Sequence, residues 1–330
     1  MASKGLVVVL GSTSGQGRSV VRRLLRSGRY DVRGITRDVN SKEAQELVKQ
    51  GAQVVEGSLD DPKSLLSAFQ TAQVIFAVTK MVDGNMAQEV NQGKNIANAA
   101  AAITCLKKFI WSTLPSAVTV SDGKIKVPHM DGKAQVDEYI IETKPDLAVK
   151  TTFLWGGFYA ENVRYPNFKF NSLGGIDKQV WIQPIKADTL VPMVGDHNTN
   201  IGIVVERILA RPDECPSKAY VLAITEWLAH GDLLHLWAKL VAEKLGRKIE
   251  PVYVQSDLDT VDQLWPGIGK EMGLLLKVLE LLGKDAWTKE GATIVSMDDL
   301  GLKVGAGDGD LVGTHAAVRR LLDQTDVQDD

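Results

Sequence analysis

Residues 6–17, LVVVLGSTSGQG, constrain this chain more than any other stretch. Leu6, Val7, Val8, Val9 and Leu10 show no polar alternation, the pattern of a strand buried on both faces. The run breaks into a glycine-rich turn. Val20, Val21, Leu24 and Leu25 then recur at helical spacing up to Gly28, a helix stop. A buried strand, a tight turn and a helix N-terminus expose backbone N–H groups at the positive end of a helix dipole, which suits a phosphate or diphosphate. Gly11, Gly15 and Gly17 spell GxxxGxG rather than GxGxxG, and Ser14 stands where a GxxGxxG loop has its middle glycine. In this context the turn predicts dinucleotide binding by Gly11, Ser12, Thr13, Ser14, Gly15, Gln16 and Gly17.

The strand and helix pattern then repeats. A strand over 30–36 ends on Arg37 and Asp38. In a dinucleotide-binding unit the end of the second strand meets the adenosine ribose, where an acid favours NAD and an arginine accommodates the 2′-phosphate of NADP. Arg37 therefore predicts NADP(H), with Lys42 as a second cation and Asp38 as a counter-signal. A helix over 41–49, a strand over 53–56, a helix over 62–69, a strand over 74–78, a helix over 86–103 and a strand over 108–112 follow. This alternation predicts an α/β chain with a Rossmann-type, doubly wound parallel sheet. Ligands in such sheets lie beyond the carboxyl ends of the strands, which places Ser58, Leu59 and Asp60, and Ala77, Val78, Thr79 and Lys80, at the cofactor. Ser112 and Thr113 would turn hydroxyls toward the nicotinamide end.

Residues 115–127 read as a loop and 129–142 as a helix with His129, Lys133, Val136 and Ile140 on one face. A lysine on an apolar face calls for a partner, and a ribose hydroxyl is one. A strand over 147–154 completes the regular part. Beyond it Pro166, Pro184, Pro192, Pro212 and Pro216 punctuate shorter elements, so the chain is divided into an NADP(H)-binding domain, 1–154, and a smaller mixed α/β substrate or lid subdomain, 155–330. In that subdomain helices are expected near 200–210, 232–245, 268–282 and 312–323, and strands near 180–183, 219–224 and 250–254. Trp155, Phe158 and Tyr159, with Trp227 and Trp265, are candidate walls of a flat apolar substrate pocket. His197 and His230 read as loop histidines within reach of a ligand, His235 and His315 as structural.

A net charge of −3 over 330 residues provides no basic face for nucleic acid or a membrane surface. No apolar segment is long enough to span a bilayer and no targeting signal is visible, so the expected setting is the cytoplasm. Two cysteines and five histidines, with neither CxxC pairs nor HExxH, predict no disulfide framework and no metal.

Together these segments resemble the NmrA-like family of atypical short-chain dehydrogenases. The resemblance rests on VVVLGSTSGQG, VRGITR ending at Arg37, GAQVVEGSLDD, HMDGK ending at Lys133, FYAEN at 158–162 and VPM at 191–193. It implies a Rossmann domain that binds NADP(H), Tyr159 and Asn162 of the FYAEN turn at the cofactor, and a C-terminal subdomain closing over the nicotinamide. The common YxxxK of the superfamily is His129-Met-Asp-Gly-Lys133 here, so the lysine is kept and the tyrosine is replaced. An imidazole titrates near neutral pH, which makes His129 the candidate proton donor, with Lys133 as ribose anchor and Ser112 as a second hydrogen-bond donor. The leading expectation is NADPH-dependent reduction of a carbonyl or imine on a small aromatic or polycyclic molecule in biosynthesis. Two others stand beside it: acid-assisted cyclisation through an iminium with NADP(H) as spectator, and an NADP(H)-sensing regulator that acts on a protein partner without turnover.

Overall fold

In the computed structural model, which describes residues 4–80, 84–173 and 176–325, the opening aliphatic run forms β1 (Gly5–Val9). Val7 and Val9 join one core layer and Val8 and Leu10 the other, as expected of a strand covered on both sides. α1 (Gly15–Ser27) ends at Gly28, whose φ of +66° admits the left-handed turn. β2 (Tyr30–Thr36), α2 (Lys42–Lys49), β3 (Gln53–Glu56), α3 (Pro62–Ala68), β4 (Val74–Val78), α4 (Met86–Ala101) and β5 (Lys108–Thr113) follow the predicted alternation. Side-chain oxygens of Ser41, Asp61 and Asn85 start α2, α3 and α4 by accepting backbone N–H groups.

Two local expectations change. The loop at 115–127 contains one helical turn, α5 (Ala117–Val120), capped by Ser116 and pinned to α6 (Pro128–Thr143) by Asp131, which accepts from Ser116 Oγ and from the N–H groups of Val118 and Val127. The strand expected from 147 is preceded by another turn, α7 (Pro145–Ala148), because Pro145 at the first helical position presets φ for a helix, and β6 (Thr151–Trp155) starts later.

The C-terminal half contributes β7 (Phe158–Tyr159), β8 (Asn171–Ser172), β9 (Lys178–Gln183), β10 (Leu190–Gly195), α8 (His197–Ala210), β11 (Tyr220–Leu222), β12 (Glu226–Ala229), α9 (His230–Leu245), β13 (Glu250–Gln255), α10 (Leu258–Leu264), α11 (Ile268–Leu282), β14 (Ile294–Val295) and α12 (Thr314–Asp323). The large sheet runs β14-β11-β6-β5-β4-β1-β2-β3, with every pairing parallel. Its order reverses between β1 and β4, where a crevice opens at the carboxyl ends.

The chain crosses the division expected after residue 154. β11 and β14 extend the large sheet, satisfying the backbone edge that β6 would otherwise leave open. α8 is no lid helix but packs on α1, with Ile201, Ile203, Val204 and Val205 in one core layer with Val20, Val21 and Leu24. The two helices touch at backbone level: a side chain at Gly202 would collide with the Ser19 carbonyl, and Ser19 Oγ accepts the Gly202 N–H at 2.8 Å while donating to Thr199 O at 3.0 Å. The remaining elements form two small mixed sheets, β12-β10-β7 and β13-β9-β8.

Candidate functional site

The turn after β1 is built for close backbone approach. Gly11 takes φ +62° with a notional Cβ 2.9 Å from Val78 Cγ1, and a side chain at Gly17 would run into the Gly11 carbonyl. No side chain caps α1 and no acid lies in its first turn, so its leading N–H groups are left for an anion. Ser14 Oγ instead donates to Gly11 O (2.7 Å). Ser12 shapes the turn from inside, fully buried and bonded to Ile35 O at 2.9 Å. Arg37, beyond the end of β2, is exposed and has no hydrogen-bond or ion-pair partner among the described residues, leaving its guanidinium free. The glycine turn, the uncapped helix and the free arginine fit the phosphates of NADP.

Of the other cofactor candidates, Leu59 O accepts from Asn95 and the Asp60 carboxylate from Gln92, which ties the turn after β3 to α4. Ser58 stays within its own turn through Ser64. Ala77 is fully buried, Val78 packs against Gly11 and Lys80 is exposed. Thr79 meets Lys133 instead of open space.

A cleft of about 170 Å³ opens beside the glycine turn, with Gln16, Ser112, His129, Tyr159 and Asn162 on its polar side and Phe158, Phe168, Leu275 and Trp287 on its apolar side. Ser112 Oγ donates to Gln16 Oε1 (2.8 Å), and Gln16 Nε2 donates to Tyr159 Oη (2.6 Å). Burial pushes the Tyr159 phenol up to about 12, against the opposing effect of the Gln16 hydrogen bond, so it stays neutral. Pro128 opens α6 and sets His129 in its first turn. There His129 Nδ1 lies 2.7 Å from Glu271 Oε1, and the same oxygen accepts the His129 backbone N–H at 3.3 Å. Nε2 is left with no partner among the described residues.

Lys133 reaches the site but is fully engaged. Its Nζ donates to Thr79 O (2.9 Å), Thr79 Oγ1 (3.0 Å) and Glu89 Oε1 (2.8 Å), one acceptor for each of its three protons. The Glu89 side chain is 1% exposed, and a carboxylate so buried needs a cation beside it. The three protons of Lys133, expected at a ribose hydroxyl, are thus taken up within the protein.

Phe158 and Tyr159 line the cleft as expected, and Trp155, Trp227 and Trp265 do not. Trp155 is core, 4.5 Å from the Tyr220 ring. Trp227 stands edge-on to Trp287 at 6.3 Å and reaches the cleft only through it, while Trp265 lies half-buried at the end of α10. His197 starts α8 against the glycine turn, behind Tyr159 and outside the cleft lining: its ring stacks on Tyr159 at 4.3 Å and its Nδ1 lies 2.8 Å from Glu161 Oε2. Burial raises the Glu161 carboxyl, but the hydrogen bond and charge of His197 outweigh it and hold the group low. His230 is a core residue that opens α9, 4.1 Å from the Trp181 ring, and burial pushes its imidazole down to about 3. Glu271, Glu89, Phe168 and Trp287 were not expected at the site. Trp287 had no local signal; its Nε1 donates to Gly156 O at 2.7 Å and fixes the turn before β7. Among the described residues no cluster of His, Cys, Asp or Glu could hold a metal ion, and no helix is long and apolar enough to cross a membrane.

Comparison with known proteins matches residues 3–303 to the model of the NmrA-like family. The NmrA-like family domain-containing oxidoreductase himF of Aspergillus japonicus is 28% identical over 251 residues, 72% of this chain and 74% of that protein. Among solved structures, the negative transcriptional regulator NmrA in complex with NADP aligns with a TM-score of 0.73 at 18% identity, covering 97% of this chain and 96% of its own. The triphenylmethane reductase of Citrobacter sp. complexed with NADP(H) aligns with a TM-score of 0.66 at 18% identity, covering 96% and 99%. At these identities the structural likeness shows the fold alone.

Proposed function

The chain belongs to the NmrA-like family, and on that premise we propose that it is an NADP(H)-dependent reductase of a carbonyl or imine on a small, largely apolar molecule, aromatic or polycyclic. The observation that carries this reading is the His129–Glu271 pair at the mouth of an apolar cleft beside the glycine turn. The first turn of α1 would hold the cofactor diphosphate and Arg37 its 2′-phosphate. When bound, the nicotinamide supplies a hydride to the acceptor carbon. The charge that develops on the acceptor oxygen or nitrogen is met by a proton from His129 Nε2, with Glu271 fixing the ring through Nδ1. The neutral Tyr159 phenol adds a hydrogen bond with its own uncommitted proton, Ser112 orients the Gln16 amide that donates to Tyr159, and Phe158, Phe168 and Trp287 keep water from the reacting atoms. The oxidoreductase names of the relatives support the class of reaction.

A second reading, a dinucleotide-responsive regulator without turnover, is favoured by the saturation of Lys133: the lysine that grips ribose in the common branch of the superfamily has no proton to spare here. The test is nucleotide analysis of the purified protein, followed by NADPH oxidation against aromatic ketones, imines and amine–aldehyde pairs. Oxidation matched to product and lowered about 100-fold or more in His129→Asn supports the reductase. Product without oxidation points to a spectator cofactor, and tight nucleotide binding without any product points to the regulator.

A further inference from the structure

The segment that opens α8 lies where the proposed cofactor diphosphate has to be received. His197 is held on three sides: its ring stacks on Tyr159 at 4.3 Å with 8° between planes, its Nδ1 faces Glu161 Oε2 at 2.8 Å, and its Nε2 edge abuts Gly15 so closely that any side chain at Gly15 would collide with it. No group among the described residues bonds Nε2. The Nδ1 approach to Glu161 is a charge contact without hydrogen-bond geometry, and the stacked ring presents Nε2 beside the uncapped first turn of α1. Glu161 is itself oriented, its Oε1 accepting Asn198 Nδ2 at 2.9 Å.

A second, independent observation lies one turn along α1. The Arg18 Nε is buried without a hydrogen-bond partner, and its guanidinium makes only a 3.5 Å contact to Asn198 Oδ1. Among the described residues Arg18 pairs with no carboxylate, unlike Arg23 and Arg29 further along, which both pair with Glu206. A buried guanidinium nitrogen without an acceptor is costly, and an anion beside it would offset that cost. Neither α1 nor α8 carries an acid in its first turn, and Asp196, which precedes α8, is paired with Arg320 at 2.9 Å. A phosphate oxygen at this junction meets helix N–H groups, the His197 imidazole and the Arg18 guanidinium.

We propose that His197, with Arg18, is a diphosphate ligand of the dinucleotide, so that the cofactor is clamped between the first turns of α1 and α8. The proposal rests on the NADP(H) reading of the glycine turn and gives His197 a role at the phosphates rather than in the substrate wall. It also accounts for Gly15, whose missing side chain makes room for the imidazole.

The test is calorimetric titration of the full chain with NADP⁺ and with adenosine 2′-monophosphate, which keeps the 2′-phosphate and lacks the diphosphate. His197→Gln is expected to weaken NADP⁺ about tenfold or more while leaving adenosine 2′-monophosphate within about twofold. His197→Phe, which keeps the stack on Tyr159 and loses Nε2, is expected to do the same and guards against misfolding of the first variant. Arg18→Met follows the same pattern, whereas Arg37→Ala weakens both ligands. NADP⁺ binding that is unchanged or tighter in both His197 variants overturns the clamp. A wild-type protein that binds neither nucleotide overturns the NADP(H) reading, and the clamp falls with it.

Discussion

His129 Nδ1 and Glu271 Oε1 lie 2.7 Å apart, although the residues stand 142 positions apart in the chain. The bond joins α6, which packs on α4 and on β5 inside the large sheet, to α11, whose Met272, Leu275 and Leu279 line the cleft. The helix that lines the proposed substrate cleft therefore also fixes the ring of the proposed acid. Glu271→Gln is expected to lower kcat about tenfold with KM little changed, and Glu271→Ala to lower it further. Steady-state kinetics on the substrate found by screening checks this, and an unchanged kcat in both variants removes Glu271 from the mechanism.

Lys133 and Glu89 predict a stability effect rather than a loss of cofactor. Lys133→Met leaves the Glu89 carboxylate buried without its cation, and about 3–5 kcal/mol of stability is expected to be lost. Adding Glu89→Gln removes the stranded charge and is expected to restore most of it. Urea denaturation of the single and double variants measures both; equal losses in the two would mean that the charge pair is not the cause.

Arg37 separates the two nicotinamide dinucleotides. Its guanidinium is exposed and unpaired among the described residues, so Arg37→Ala removes a phosphate contact without leaving a protein group stranded. NADP⁺ affinity should fall about 10- to 100-fold while NAD⁺ affinity holds. Equal losses for both would place Arg37 elsewhere than at the 2′-phosphate.

Two buried groups set opposite slopes on the stability profile. Burial lowers His230 from 6.5 to about 3, so between those values the unfolded chain binds a proton that the native state refuses. Stability is then full above pH 6.5 and falls by up to about 4 kcal/mol as the pH drops toward 3. Asp137 runs the other way: burial raises its carboxyl well above 3.8, although Thr113 and Trp111 donate to it. Its contribution is present below 3.8 and is lost as pH rises through the folded value. Chemical denaturation across pH is expected to show a shallower acid limb in His230→Phe and a gain for Asp137→Asn at neutral and alkaline pH.

What the sequence made legible was local. The valine run, the stop at Gly28 and Arg37 at the end of β2 each act within a few residues of their own position, and the alternation they mark carries through to β5. Contacts between distant segments were not legible. Thr79, Glu89 and Lys133 meet only once three elements have packed, and an apolar-face lysine reads the same whether its partner is a ribose or a buried acid. Aromatic side chains carry the same ambiguity: Phe158 reaches the cleft, while Trp155, three residues earlier, is consumed by the core. α8 was read as a lid helix from its position among prolines, yet Ile201, Ile203, Val204 and Val205, buried almost all round the helix, fit an element enclosed on more than one side.

The union of α1 with α8 has a consequence for how the protein comes into being. Ser19 and Gly202 are 183 residues apart, so at about 5–20 residues per second the first helix waits roughly 10–40 s on the ribosome before its partner has been made. Until then Val20, Val21 and Leu24 lack part of the layer that covers them. A fragment ending near residue 154 carries every glycine of the first turn yet lacks one wall of that layer. The core layer behind the glycine turn is thus finished late in synthesis, and the C-terminal half serves as the fastening that holds α1 against the sheet.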